Sequence, residues 1–595
     1  MNGHGLFSIA KSGSTPPGKS GVDFETVFPH GTGDRLIGSG FRNLIRKPGP
    51  EETFRFHGRP IDGQNQGELR TALAKLAYAL ERQVTGDDSA SENPGVSSGY
   101  GYLMQFIAHD LVASVSSLGR INSGRIALNN NRSAKLRLES IYGGGPEQSP
   151  LLYEPSRTGD STTPRAPLTH LRLGPLDTKK EFSCPFRDLA RVNLTKSVDD
   201  ISKNVNASIT SAALPGLPDV IVGDPRNDDH AIISQLTVVF HLLHNGLVEK
   251  TNGMPTHSRY AESAFNRYFY ARMATTLILR NVIRLDVLKR LLHPEIYRLY
   301  NVTDPPFVDG FDDAVPLELT HGALRVCHSM IRGDGYSLNE RSFFPFLLQE
   351  ILSENSVNQA AKMPLPENWA AAWSFLFDID GQKPPANMSI LLGPHYAPPL
   401  ATEQVFPPID GVDVGGSPKS GLAYRDMLSA ALAGLWSVPA LIRRLSGDGS
   451  PVAKLFETWP LADQAGREKA LEEWLLKHQL PLPGFEMTVA ERETLAKDPP
   501  LPFFLMFEAR EDGKGARFGL LGSIIIAEAI FGILSKDPLM PGDGPVPLDK
   551  ALESLGRDVF DEPWLPAYPR LDTMSDVIAF VADMHGLQDA RPKFI

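Results

Sequence analysis

Apolar residues recur every three or four positions through long stretches of this chain of 595 residues, and that spacing constrains its fold more than any other feature. It is clearest at 68–83 (ELRTALAKLAYALERQ), 231–250 (AIISQLTVVFHLLHNGLVEK) and 262–292. A helix brings positions i, i+3, i+4 and i+7 to one face, so each stretch is expected to be a helix with an apolar side to bury. Shorter stretches with the same spacing lie at 319–331, 342–352, 424–435 and 522–534. Runs alternating with a period of two, as strands require, are few and short. The expected architecture is mostly α: one large helical domain with long loops and few short strands. Loops rich in Pro and Gly, at 143–167 and 384–418, are long enough to be functional or tightly packed.

Composition sets outer limits. A hydrophobic fraction of 42% and a charged fraction of 22% are those of an ordinary globular chain. The net charge of -11 offers no electrostatic basis for binding nucleic acid. Two cysteines, Cys184 and Cys327, cannot build a disulfide framework and suit a reducing compartment. The first residues, MNGHGLFSIAKSGS, lack the basic start and apolar core of a secretory signal. The expected location is the cytoplasm, or outside it by export without a cleavable signal. The most apolar window, 519–534, carries Glu528 and is shorter than a bilayer span, so no transmembrane segment is expected. Residues 1–65 read as an irregular N-terminal arm, 66–545 as the body, and 546–595 as a C-terminal extension packed on it.

Several segments carry candidate chemistry. In GYLMQFIAHDL (101–111), Gln105 and His109 are four residues apart and share a helical face. That is either a core histidine making one hydrogen bond or a pair lining a pocket and handling protons. In VGDPRNDDH (222–230), Arg226 sits in a charged turn before an apolar helix, where Asp228 or Asp229 is the expected cap. ALRVCHSMI (323–331) places His328 in an apolar helix, where a satisfied core histidine is the simplest reading. LRLESIYGGGP (136–146) reads as a strand or short helix turning through glycines, and Asp426 in YRDML (424–428) as a buried partner for a basic group. His241 and His244 in HLLH have no third ligand at familiar spacing and read as structural, with Asn245 bracing the neighbourhood.

Taken in order, these segments resemble the animal-type haem peroxidases of the peroxidase–cyclooxygenase superfamily, over about residues 99–538. The family's distal Gln-x-x-x-His-Asp appears as QFIAHD, its arginine as Arg226 in GDPRND, and its proximal Arg-x-x-His-Ser/Thr as RVCHS. The Tyr-Gly turn appears as SIYGGGP, the helix with a His-Asn pair as FHLLHNGLVEK, and the late helix as FGLLGSIIIAEAIFGIL after PLPFFLMFEA. The resemblance implies haem b held by His328 as proximal ligand, with Arg325 near a propionate. It implies that His109 moves a proton on hydrogen peroxide, that Arg226 stabilises the departing oxygen, and that Gln105 holds a pocket water or a halide. The implied partners are hydrogen peroxide and a small-molecule donor; the motifs leave the oligomeric state open.

Departures from the family are as informative. At the position of its proximal Asn, this chain has Asp426, a stronger acceptor that should push electron density toward the iron. Asp110 matches a calcium ligand, but the remaining ligand positions fall on Ser133, Lys135, Arg137 and Glu139. A basic residue among hard-cation ligands is incompatible with calcium. The expectation is therefore no calcium, with Arg137 taking the ion's place between Asp110 and Glu139. Ala108 stands where relatives carry an Asp esterified to haem, and Asp229 where they carry a Glu. The haem should be mostly non-covalent, with at most one ester through Asp229. His230 replaces a methionine that some relatives link to haem. Arg325 occupies the place of the dioxygenases' radical-forming Tyr, which argues against fatty-acid oxygenation, although Tyr424 could approach from another element. A fatty-acid dioxygenase and a degenerate haem-binding scaffold are the alternatives.

Overall fold

The computed structural model describes residues 40–81, 91–113, 130–155, 168–176, 187–193, 218–252, 264–301, 314–401, 421–536 and 571–595, apart from short breaks at 334, 342–343, 354–364, 380–386, 482, 485 and 591–592, together with four isolated strand pieces at 24–27, 33–36, 413–414 and 417–418. Cys184, residues 1–23, 28–32 and 37–39 of the N-terminal arm, and residues 546–570 lie outside them.

The protein is mostly helical, as the periodicity requires. We number the principal helices α1 (Gln66–Leu80), α2 (Gly99–Leu111), α3 (Ala231–Asn252), α4 (Ala264–Val282), α5 (Leu422–Leu432), α6 (Leu501–Glu511), α7 (Leu520–Lys536) and α8 (Met574–Met584). Among the described residues the strands form only two-stranded ladders, none of which supplies a core. The core is helix on helix: α3 packs along α4 and against α2 and α8, and α5 against α1 and α6. Helix α3 is the one described helix long and apolar enough to cross a bilayer; its residues 231–248 are buried in the protein.

Helix α2 is held on several sides. A Cβ on Gly99 would lie 2.5 Å from the Leu376 carbonyl oxygen, and one on Gly101 2.9 Å from the Ile331 side chain. Gly99 thus lets α2 lie against the 376–377 segment, and Gly101 lets it lie against Met330 and Ile331. One turn on, Phe106 stacks on Phe240 of α3, centroids 4.8 Å apart. Helix α7 is buried along residues 520–534, with Ser523 and Glu528 its polar side chains there. Its first amides, Leu521 and Gly522, donate to the Glu508 carboxylate on α6 at 2.6 and 3.0 Å. Burial pushes the Glu508 carboxyl up to about 8.

Two sequence expectations change. The stretch 342–352 is helical only from Leu348, because Pro345 cannot continue a helix and Phe346 instead bridges Tyr336. The stretch 319–331 is helical but changes pitch: π at Leu319–Ala323, α at Leu324–Val326, 3-10 at Cys327–Met330. Such irregularity within a helix commonly marks a functional position. Residues 43–55 and helix α8 are tied to the helical core by carboxylates. Glu318 accepts from Asn43 Nδ2 and the Leu44 amide, Asp498 from the Arg55 amide, and Asp286 from the Met574 amide that opens α8.

Candidate active site

Helix α2 is buried except at Gln105 and Ala108, which are half-buried. They share a face with His109, so this is the one face of α2 that packing does not seal. The His109 ring is fixed at its inner nitrogen: Nδ1 lies 2.9 Å from Asn227 Oδ1. With the carboxamide oxygen accepting, the proton sits on Nδ1, and Nε2 keeps its lone pair with no protein partner among the described residues. Burial, then the nearby Arg226 charge, hold the His109 pKa down at about 4, so the ring is neutral near pH 7.

Arg226 lies in a short 3-10 turn, Pro225–Asp228, capped by Asp224. Asp224 accepts from Arg226 Nη2 at 2.6 Å and also pairs with Arg132; these two cations keep its carboxyl far below the usual range although it is buried. Arg226 Nη2 also donates to the His109 carbonyl at 2.9 Å, leaving Nη1 with no protein partner among the described residues. The guanidinium is thus locked by one edge and presents the other.

Capping here differs from the sequence expectation. Asp224, not Asp228 or Asp229, caps the turn, and His230 caps α3 by accepting the Ile233 amide at Nδ1, 3.3 Å. Asp228 makes a two-point ion pair with Arg191, both contacts 2.7 Å. Because His230 Nδ1 accepts, its proton is on Nε2, which donates to Gln105 Oε1 at 3.1 Å. The Gln105 amide nitrogen is left as a donor. Asp229 is half-buried one residue away.

His328 is half-exposed between buried Cys327 and Ser329. Its Nδ1 donates to Asp426 Oδ2 of α5 at 2.7 Å, which leaves Nε2 without a protein partner among the described residues. Asp426 is 1% exposed and also accepts from the Tyr396 hydroxyl at 2.9 Å, with Arg325 Nη1 at 3.4 Å. Burial alone would raise its carboxyl; the His328 and Arg325 charges and the two hydrogen bonds hold it below its ordinary value. Arg325 therefore contacts Asp426 as well as the Thr320 carbonyl. Tyr424 is buried beside Arg70; the tyrosine that reaches this pair is Tyr396.

Arg132 and Arg280 organise the 132–140 loop. Asp110 accepts the amides of Leu138 and Ser140 at 2.8 and 3.0 Å, and Glu139 accepts from Ser133. Arg132 faces both acids electrostatically while pairing with Asp224. Buried Arg280 of α4 takes the loop's Leu136 and Lys135 carbonyls. Arg137 is buried, and its charge is felt at Arg272. Ala134, Leu136 and Leu138 all have positive φ, 60°, 50° and 59°, a backbone that L-residues adopt only under such constraint. Among the described residues no three His, Cys, Asp or Glu side chains converge as a metal cage needs. His244 spans Tyr142 and the Thr169 carbonyl, His241 meets the Arg172 carbonyl, and Asn245 pairs with both backbone groups of Leu171, so this cluster braces the 168–172 strand.

Two imidazoles, one on α2 and one on the 327–330 segment that contacts it, are each anchored through Nδ1 and open at Nε2. One sits beside a clamped guanidinium and a carboxamide, the other beside a carboxylate. Such a donor set fits haem: one imidazole as axial ligand, a base and a cation opposite. Asp224 was findable, since Asp before Pro is the signature of a capped turn. Asn227, Tyr396, Arg132 and Arg280 carry no local signal.

No protein-family model matches the sequence, and no curated protein matches it. Solved structures do. Peroxidase A from Dictyostelium discoideum is similar over 94% of this chain and 96% of its own, with 12% identity and a TM-score of 0.51. The fatty acid alpha-dioxygenase of Arabidopsis thaliana is similar over 91% of this chain and 81% of its own, with 14% identity and a TM-score of 0.51. Both are members of the peroxidase–cyclooxygenase superfamily, and this chain has the fold they share.

Proposed function

We propose that this protein is a haem-dependent peroxidase that reduces hydrogen peroxide and oxidises small organic or halide donors. The observation that carries the reading is the asymmetry of the two anchored imidazoles: His109 neutral beside Arg226, His328 held by a carboxylate. Haem b would be held by His328, with Arg325 near a propionate, and would supply the redox equivalents. His109 Nε2 accepts a proton from one peroxide oxygen and returns it to the departing one; a base near pKa 4 releases that proton readily. Arg226 Nη1 stabilises the negative charge on the departing oxygen from a fixed position. Gln105 orients a water or halide through its amide donor. Ala108 cannot form an ester, so the cofactor is non-covalent or tied once through Asp229, and Arg137, in the loop that Arg132 and Arg280 hold, takes the place of calcium beside Asp110 and Glu139.

The likeness to the alpha-dioxygenase favours a second reading, oxidation of a fatty acid by dioxygen. Both are tested on purified protein loaded with haem. A Soret band that shifts with one equivalent of hydrogen peroxide and returns on adding a phenol supports the peroxidase. Bound haem that ignores peroxide overturns it; uptake of dioxygen with a long-chain fatty acid then favours the second reading.

A further inference from the structure

Three donors converge on one buried carboxylate. Asp426 Oδ2 accepts both His328 Nδ1 at 2.7 Å and the Tyr396 hydroxyl at 2.9 Å, while Arg325 Nη1 stands 3.4 Å from Oδ1. Arg425, on the same helix, also feels this charge, and His321 lies within its field. Tyr396 is completely buried, its ring 6.2 Å from that of His328, and the Tyr396 amide is fixed by the Leu80 carbonyl at 2.6 Å. A tyrosine so placed makes no contact of use to the core that phenylalanine would not make, except through its hydroxyl. That hydroxyl donates to the very oxygen that faces the imidazole. Charge drawn onto the hydroxyl hydrogen is charge withheld from the Nδ1–H···O contact.

We infer that Tyr396 is a positioning residue that restrains the electron push of Asp426 on His328. The sequence comparison of Asp with Asn predicts a strongly electron-rich axial imidazole; Tyr396 and Arg325 temper it by sharing the carboxylate. The inference rests on the proposed haem seat at His328 and is independent of the donor oxidised.

Tyr396→Phe in the haem-loaded full chain is the test, read by spectroelectrochemical titration and by the iron–histidine stretch of the reduced protein. The expected results are a lower reduction potential and a higher stretching frequency, with no need for turnover. Site-specific replacement of Tyr396 by 3-fluorotyrosine keeps the ring and strengthens the donor. It should move both readings the other way, and it stands if the Phe variant does not fold. Haem uptake with both readings unmoved in the two proteins overturns this inference alone. No haem uptake by the unmodified protein overturns it together with the proposed function.

Discussion

His109 and His328 are chemically one residue type in two settings, and the contrast between them shows how a fold divides labour. Each ring is anchored through Nδ1, but to a neutral carboxamide in one case and to a carboxylate in the other. His109 is 7% exposed and lies next to a guanidinium, so a proton on its ring is disfavoured. His328 is half-exposed, with an anion behind it. A neutral anchor leaves a ring free to lend and return a proton; an anionic anchor makes it a richer electron donor.

The largest effect in breaking that contrast should come from His328→Ala, which removes the proposed axial ligand: haem titration followed by absorbance should lose the ligated Soret band altogether. Next, His109→Ala should lower the second-order rate with hydrogen peroxide by about 10²–10⁴-fold, the usual worth of a positioned acid–base group, and leave haem uptake intact. Equal loss of uptake in both variants would mean that the two rings are not functionally distinct. Asp426→Ala should weaken haem binding by about 10–100-fold, the typical cost of losing a ligand's own hydrogen-bond partner.

A subtler change sharpens the comparison through pH. His109 titrates near 4, so the peroxide rate should stay level from pH 8 to 5 and fall as the ring gains a proton toward pH 4. Arg226→Gln removes a charge that lowers this value, so the midpoint should rise toward the ordinary value of about 6.5. A midpoint that stays put would show that Arg226 does not act on His109. The same depression bears on stability. Between about 6.5 and 4 the unfolded chain binds the proton and the folded one does not, so this site loses stability as pH falls through that window. The smallest effect should follow Arg280→Ala, which leaves two loop carbonyls without their donor. The melting temperature should drop by the equivalent of about 1–3 kcal/mol, and added calcium should not restore it.

Much of the fold was legible along the chain. A face of apolar residues is a local, periodic signal, and α1, α3, α5 and α7 each begin or end within a few residues of where the spacing placed them. The failures are local too: Pro345 sets the start of its helix where a purely periodic reading overlooks it. The site was legible differently. Gln105 and His109 declare a shared face because four residues make one helical turn. Asp426 stood out as an acid among apolar neighbours.

By itself the sequence determined a helical body, one helix face carrying Gln105 and His109, a charged turn carrying Arg226, and a carboxylate fated for burial at Asp426. Only the tertiary structure decided which group each of these meets. Asn227 reaches His109 across 118 positions, Asp426 reaches His328 across 98, and Arg280 reaches the 132–140 loop across 144. Periodicity reports which side of an element is dry, whereas a hydrogen bond between distant elements depends on how those dry sides pack. Ring tautomers, the edge of Arg226 left open and the sharing of Asp426 with Tyr396 are all consequences of that packing.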